Sequence, residues 1–162
     1  MNIFFLDESP RLAAQMQVDK HVVKMILESA QLLSTNIRIV HGDEIGDRLG
    51  LYKKTHVNHP CTIWVRSDQA NYNWLFEHFE SLCDEYTYRF EKTHKSKTLI
   101  DSLRKFVNSN VSSKTHTAPA LCMPDVYKSE DYVKSYREYY SVEKKHLHKW
   151  TKRNLTMEKY NE

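Results

Sequence analysis

The spacing of apolar residues along the chain predicts two long helices. A short apolar segment at 2–6 is expected to be extended, and Ser9 with Pro10 then supplies an N-cap followed by proline at the first helical position. From there to about residue 39, apolar residues recur at helical spacing, and they do so again from residue 67 or 68 to about residue 89. The first buried stripe consists of Val22, Met25, Ile26, Ser29 and Leu33, and the second of Leu75, Phe79, Leu82, Cys83 and Tyr86.

The rest of the pattern predicts two shorter helices joined by polar loops. One helix covers 96–106, and the other begins at a Ser129 cap and continues to about Trp150. Loops are predicted at 41–50, 53–60 and 108–117, with a turn at 123–125. The chain has only 3 glycines in 162 residues, which favours long helices over tight turns. We therefore predict an all-α fold, a compact single-domain helical bundle over 1–162 with a short extended N-terminal segment.

Composition excludes some classes of protein and leaves others open. The three cysteines, Cys61, Cys83 and Cys122, form no CxxC pair, and no signal peptide precedes them, so we expect a cytoplasmic protein. No apolar run approaches the roughly 18 to 20 residues that span a bilayer, which excludes a membrane protein. The net charge of +3 permits nucleic acid as a partner without demanding it.

Polar residues at helical spacing form a stripe on the first long helix. His21, Lys24, Glu28 and Gln31 share this stripe, and Lys20 flanks it. A carboxylate between a lysine and a histidine can act as a general base or stabilise a developing cation. The same spacing also fits a solvated face with an ordinary ion pair between Lys24 and Glu28.

The second long helix carries a comparable mixed face. A ring that stacks on a base, with polar groups beside it, suits the wall of a cleft. The alternative is that Trp74 lies in the core and the other residues lie on the surface. The face consists of Asn71, Trp74, His78, Glu85 and Arg89.

The densest polar cluster is the segment 52–61, which Trp64 and Arg66 follow. Loops that precede helices often carry binding groups because a rigid scaffold positions them. The spacing of His56, His59 and Cys61 resembles that of metal ligands, but no recognisable partner pair supplies a fourth ligand. We therefore expect no metal and no other cofactor.

The last helix interleaves aromatic and cationic side chains. Such a pattern fits a surface that faces DNA, where cations contact phosphates and rings stack. It also fits an amphipathic helix whose tyrosines pack while their hydroxyls reach water. The residues concerned include Tyr132, Tyr136, Arg137, Tyr139, Tyr140, Lys144, Lys145, His146, His148, Lys149 and Trp150.

Two resemblances follow from these motifs. Nearly the whole chain resembles a protein family common in phage genomes, through 19–25, 58–61, 71–74 and 123–125. The chain also resembles the pyrimidine-dimer DNA glycosylase family, whose type member is a small all-helical phage endonuclease. Asp19, His21 and Glu28 match the spacing of that family's Asp-x-His and its catalytic glutamate, and His59 matches a further histidine. The helix from Asn71 to Arg89 takes the place of the family's second helix, and 136–140 resembles its DNA-contacting stretch.

The second resemblance implies attack by an N-terminal α-amine on the sugar C1′, giving a Schiff base with the help of the glutamate. Asn2 is large enough to hinder removal of the initiator methionine, so the expected nucleophile is the Met1 amine or a lysine, Lys20 or Lys24. The family's arginine before the glutamate is replaced here by Leu27.

The leading hypothesis is an enzyme that acts as a DNA glycosylase, with AP lyase activity, on a damaged or modified base in double-stranded DNA in a phage-infected host. Glu28 would stabilise the cationic sugar or activate the nucleophile, and His21 and Lys24 would tune it. Trp64, Tyr72 and Trp74 would hold the extruded base. Phosphate contacts would come from Lys20, Arg66, Arg89, Lys95, Arg137 and Lys144. The other substrate-binding candidates are His56, Asn58, His59, Asn71, His78, Tyr136 and Tyr140.

Two alternative functions remain open from the sequence. A cleft lined by histidines and aromatic rings would hold a nucleotide or a cyclic nucleotide of host defence, with histidines as acid and base. Its lining would be His21, His56, His59, Trp64, Trp74 and Arg89. A non-catalytic module that binds DNA or a host protein is the other alternative, and it would show salt-sensitive binding without a product.

Overall fold

The computed structural model describes residues 1–155, and within them it contains seven α-helices and no strand, which confirms the all-α prediction. The predicted domain continues into residues 156–162, which lie outside the described range. No helix in the described part is long and apolar enough to cross a membrane. The helices are α1 (Pro10–Met16), α2 (Asp19–His41), α3 (Asp43–Arg48), α4 (Pro60–Ser67), α5 (Gln69–Phe90), α6 (Ile100–Arg104) and α7 (Tyr132–Glu143). Short 3₁₀ turns occur at Lys95–Leu99, Ser113–Thr115, Asp125–Tyr127 and Lys145–Leu147.

The first predicted long helix is two helices, α1 and α2. The cap at Ser9 forms as predicted, since its side chain accepts a hydrogen bond from the Leu12 amide. The chain then turns extended at Gln17, where ψ is 142°. Tertiary partners satisfy the backbone there: the Arg89 guanidinium binds the Gln17 carbonyl, and the Tyr140 hydroxyl accepts from the Val18 amide. Apolar periodicity continues across this break, which is why the sequence pattern missed it.

Residues 43–48 form α3, although the sequence predicted a loop there. The cause is Arg38, whose buried side chain lies against Gly46 so closely that a Cβ on the glycine would come within 2.6 Å of it. The guanidinium also donates to the carbonyls of Leu51 and Tyr52. Gly46, which the sequence pattern suggested as part of a turn, therefore lies in α3, and its lack of a side chain leaves room for the buried Arg38 guanidinium.

The prediction for the last helix was also too long. The helix α7 starts at Tyr132 with Asp131 as its N-cap, two residues after the predicted Ser129 cap, and ends at Glu143. Beyond it the chain returns to the start of α2, where the Asp19 amide donates to the Lys149 carbonyl and the Thr151 hydroxyl donates to the Asp19 carboxylate. These contacts hold the C-terminal segment to the junction of α1 and α2.

The helix α5 is central and packs against α1, α2 and α4. It begins at Gln69, next to the predicted start at 67 or 68, with Asp68 as its N-cap, and four residues of the predicted stripe, all but Tyr86, are fully buried. The mixed polar face is buried as well: Trp74, His78 and Arg89 are each at most 2% exposed. The second long helix is therefore a core helix on both faces rather than the wall of a cleft.

The N-terminal segment 3–6 is buried in the core and belongs to no helix or strand. Phe4 and Phe5 point to different neighbours: the Phe4 ring stacks on His21, whereas the Phe5 ring lies against Trp64 and Trp74. Phe4 has a φ of +59°, a left-handed conformation that costs a non-glycine residue roughly 1–2 kcal/mol. Packing on both sides of the segment holds this conformation and fixes the position of Met1 and Asn2.

His78 connects α5 to α1 from inside the core. One ring nitrogen, Nδ1, lies 2.9 Å from the Pro10 carbonyl and the other, Nε2, lies 3.2 Å from the side-chain nitrogen of Gln17. The ring is also stacked on Trp74. Because the carbonyl needs a donor and the amide nitrogen needs an acceptor, the neutral Nδ1–H form satisfies both contacts. Burial lowers the pKa of His78 to about 4, although the Pro10 carbonyl acts in the opposite direction.

We expect the protein to lose stability as the pH falls from about 6.5 to about 4. An unfolded chain protonates His78 near its ordinary pKa of 6.5, whereas the folded protein does so only near 4, so the unfolded state binds more protons between these values. The loss attributable to His78 is up to about 3 kcal/mol. Urea unfolding measures the free energy of unfolding across this pH range. We expect this free energy to depend less on pH in His78→Gln than in the wild-type protein, and as much as in the wild-type protein in His56→Gln, whose ring is exposed. Equal dependence in His78→Gln and wild type would contradict this role.

Candidate active site

A pocket of about 220 Å³ opens where the N-terminal segment meets α2 and the end of α7. It brings together all four residues for which the sequence predicted a catalytic role: Met1, His21, Lys24 and Glu28. Asn2 and Cys122, for which the sequence predicted no part in binding or catalysis, also line it, as does Tyr139 from the predicted DNA-contacting stretch. The complete lining is Met1, Asn2, Phe4, His21, Lys24, Met25, Glu28, Cys122, Tyr139 and Lys144.

Glu28 lies next to the chain's N-terminus. Its side chain is 13% exposed, and its Oε2 accepts a hydrogen bond of 3.3 Å from the backbone amide of Asn2. Its Oε1 lies 3.4 Å from Nζ of Lys24. The carboxylate that accepts from the amide of residue 2 is therefore one residue away from Met1, and both line the same pocket.

His21 forms an inner wall of the pocket. Its ring stacks on Phe4 with a centroid distance of 4.5 Å, and its Nδ1 lies 2.8 Å from the Tyr140 hydroxyl. Burial and, to a smaller extent, the nearby charges of Lys144 and Lys24 together lower the pKa of His21 to about 4. The imidazole is therefore neutral near pH 7, and it can orient a neighbour or share a hydrogen bond but does not supply a positive charge.

Cationic side chains surround the entrance of the pocket. Lys24 is 64% exposed, and Lys144 lies over the Tyr139 ring at 5.3 Å from its centroid. Lys20, on the first turn of α2, is exposed but does not line the pocket. An exposed lysine and a half-buried lysine beside a carboxylate suit a substrate whose phosphates stay at the entrance while a neutral part enters the pocket.

A cluster of His59, Cys61 and Cys122 lies beside the pocket, and Cys122 is part of both. The ligand-type atoms of the three side chains lie within 4.8 Å of one another, and the two sulfur atoms are 3.5 Å apart. Their mutual hydrogen bond lowers the pKa of Cys122 to about 7 and, together with burial, raises that of Cys61. The sequence signalled His59 and Cys61 but not Cys122, which is 61 residues from Cys61.

The aromatic residues predicted to hold a base have partners inside the protein. The Trp64 indole donates to the Thr117 carbonyl, the Trp74 indole to the Glu8 carbonyl, and the Tyr72 hydroxyl to the Leu103 carbonyl. The three side chains are at most 6% exposed. We assign them to the packing of α4 and α5, and the aromatic side chains that line the pocket are those of Phe4 and Tyr139.

The polar candidates on α5 also have structural contacts. The Asn71 side chain bonds the backbone of Trp64 and of Thr117, and His78 connects α5 to α1. Arg89 is buried between Glu85 and Asp19. Because none of these side chains reaches the pocket, the nucleotide cleft considered from the sequence does not assemble around Arg89, Trp74 and His21.

Three candidates on α7 hold the N-terminal segment in place. The Tyr136 hydroxyl donates to the Ala120 carbonyl, and it also lies 3.1 Å from Oδ1 of Asn2. Arg137 donates to the Leu6 carbonyl and pairs with Asp7. Tyr140 contacts Val18 and His21, and both tyrosines are fully buried. We therefore assign the predicted DNA-contacting stretch to the support of the pocket, except for Tyr139.

The remaining candidates lie outside the pocket. His56 and Asn58 are exposed on the loop before α4, and Lys95 is exposed at the start of its 3₁₀ turn. Arg66 donates to the Val57 carbonyl, so it shapes that loop.

Comparison with known families adds one finding to this geometry. The model of a family described as pyrimidine dimer DNA glycosylase matches residues 1–98, which include Met1, His21, Lys24 and Glu28. The comparisons with curated proteins and with solved structures gave no match. The family confirms the resemblance predicted from Asp19, His21 and Glu28, and it implies a glycosylase-type function with DNA as the substrate. Because the match covers more than half of the chain, the protein belongs to the pyrimidine dimer DNA glycosylase family.

Proposed function

We propose that the protein removes a damaged or modified base from double-stranded DNA and then cleaves the abasic site, with the Met1 α-amine as nucleophile and Glu28 as its acid–base partner. The observation that carries this proposal is the hydrogen bond between the Glu28 carboxylate and the Asn2 amide, inside a pocket that Met1 also lines. Family membership supports the glycosylase step.

The proposed chemistry starts from an uncharged amine. The nitrogen lone pair attacks C1′ of the sugar, the bond from C1′ to the base breaks, and the departing base keeps the electron pair and takes up a proton. A carboxylate beside C1′ stabilises the positive charge that develops on the sugar. Glu28 takes up the proton that the amine loses after bonding to C1′ and then donates it to the ring oxygen. The bond between C1′ and that oxygen breaks, which leaves a Schiff base between Met1 and C1′. Loss of a C2′ proton expels the 3′ phosphate, which is the lyase step.

Exposure favours Met1 over the lysines as the nucleophile. A lysine nucleophile requires a desolvated site, whereas the Lys24 side chain is 64% exposed and Lys20 is exposed outside the pocket. Lys24 and Lys144 are better placed to bind the phosphates that flank the extruded nucleotide. The Tyr139 ring, together with Phe4, offers apolar faces against which the sugar or base can pack.

The first experiment is borohydride trapping on ultraviolet-irradiated and on abasic duplex DNA. We expect a covalent adduct with both substrates, and mass spectrometry of the digested adduct should place it on the Met1 amine. Lys24→Arg keeps the rim charge and should still form the adduct, which makes it the matched control.

Two outcomes would overturn the proposal. An adduct on Lys20 or Lys24 would replace Met1 as the nucleophile. Absence of both an adduct and strand cleavage, with binding that a mononucleotide displaces, would exclude glycosylase chemistry in favour of a small nucleotide ligand.

A further inference from the structure

The cluster of His59, Cys61 and Cys122 is not used by the proposed glycosylase chemistry. His59 is the N-cap of α4 and Cys61 lies in its first turn, whereas Cys122 belongs to the irregular segment before α7. Cys61 is 1% exposed, and His59 and Cys122 are half-buried. Two distant parts of the chain therefore present two sulfur atoms and an imidazole to the same small volume.

The distances within the cluster fit a tetrahedral metal better than they fit a disulfide. Sulfur atoms bound to one tetrahedral zinc at about 2.3 Å are separated by roughly 3.8 Å. The observed separation of the Cys61 and Cys122 sulfur atoms is 3.5 Å, whereas a disulfide needs about 2.05 Å. The imidazole nitrogen also lies within 4.8 Å of both sulfur atoms, so small movements bring all three atoms to bonding distance of one ion.

The orientation of His59 is set by the backbone of α4. Its Nδ1 accepts a hydrogen bond of 3.1 Å from the Cys61 amide, so the lone pair of Nδ1 is on the side of the cysteine. An ion bound in the cluster would take one of the two ring nitrogens of His59 as its ligand. Two cysteine sulfurs with one imidazole nitrogen form a ligand set that borderline-soft divalent ions prefer over the oxygen-seeking magnesium or calcium.

We propose that His59, Cys61 and Cys122 bind one zinc ion, with its fourth position open to solvent or to the neighbouring pocket. The site joins the start of α4 to the segment that carries Cys122. The Cys122 carbonyl accepts a hydrogen bond of 2.9 Å from the Asn2 side chain, so the metal fixes a residue that positions the N-terminus. Sequence spacing does not reveal this site, because only His59 and Cys61 are close together in the sequence and Cys122 follows 61 residues later.

Cobalt substitution tests the site without using enzyme activity. Titration of the reduced, metal-free full chain with Co²⁺ should give the visible absorption of tetrahedral cobalt and a near-ultraviolet thiolate charge-transfer band, both saturating at one equivalent. Zn²⁺ should then displace the cobalt and remove both signals. Zn²⁺ alone should raise the melting temperature of the wild-type protein by several degrees.

Variants identify the ligands. Cys61→Ser and Cys122→Ser should lose the charge-transfer band and the zinc-induced rise in melting temperature, and His59→Gln should bind cobalt more weakly. Cys83→Ala is the matched control, because Cys83 is a buried cysteine of α5 outside the cluster, and it should retain the signals. Circular dichroism of each variant establishes that it is folded before titration. A wild-type protein that shows only the spectrum of cobalt in water, or a folded Cys122→Ser that keeps the thiolate band, would overturn the proposal.

Discussion

Replacing Glu28 by glutamine is expected to lower the single-turnover rate of base excision by roughly 10²–10⁴-fold. Glutamine retains an oxygen that can accept from the Asn2 amide, so the local structure should survive, but it can neither take up nor release a proton. Within residues 1–155, the ion pair that is lost is the partly exposed one with Lys24. The measurement is single-turnover excision on irradiated duplex DNA, with binding of the same DNA measured by fluorescence anisotropy.

The matched control is Glu44→Gln, which removes one negative charge from an exposed position on α3. It should leave the excision rate unchanged, and both variants should bind DNA as the wild-type protein does. A Glu28→Gln protein that excises the base at the wild-type rate would remove Glu28 from the mechanism, even if the trapping experiment had located an adduct on Met1.

Replacing Arg89 by methionine is expected to lower the free energy of unfolding by about 3–5 kcal/mol. The Arg89 side chain is fully buried and pairs with Glu85 at 2.7 Å and with Asp19 at 3.0 Å. It also donates to the carbonyls of Gln15 and Gln17 at the end of α1, which have lost their helical partners. Removing the cation takes one partner each from two carbonyls and two carboxylates, although Glu85 keeps its pair with Arg153 and Asp19 keeps its hydrogen bonds from Thr151.

Urea unfolding of Arg89→Met at neutral pH measures this loss. Lys97→Met is the control, because the ion pair between Lys97 and Asp84 is 3.4 Å long and exposed, and such pairs contribute at most about 1 kcal/mol. Similar stability in the two variants would contradict the assignment of Arg89 to the junction of α1 and α2.

The sequence predicts the helices well because local signals define them. The caps at Ser9 and Asp68 and the apolar stripe of α5 are all readable from spacing. The errors occur where tertiary contacts replace local ones. Arg89, 72 residues from Gln17, allows the helix to break there, and Arg38 turns a glycine-containing predicted loop into α3.

The candidate site likewise contains some residues that local sequence patterns identify and others that only tertiary contacts bring in. The stripe of His21, Lys24 and Glu28 follows from helical spacing and reaches one pocket with Met1. Tyr139 and Cys122 could not be placed there, because no local pattern relates them to α2. The sequence left open whether Trp74, Tyr136 and Tyr140 are buried, since a tyrosine or tryptophan looks the same in sequence whether its polar atom binds a ligand or a backbone carbonyl.

The pocket joins the first residue of the chain to Lys144, and this has a consequence for when it forms during synthesis. Met1 and α2 leave the ribosome early, whereas the helix that carries Tyr140 leaves late, and domains fold as units once their chain has emerged. Until α7 packs, the Val18 amide and the His21 ring lack their hydroxyl partner. A nascent chain therefore lacks these contacts until translation has passed α7, and we expect the proposed activity to begin only then.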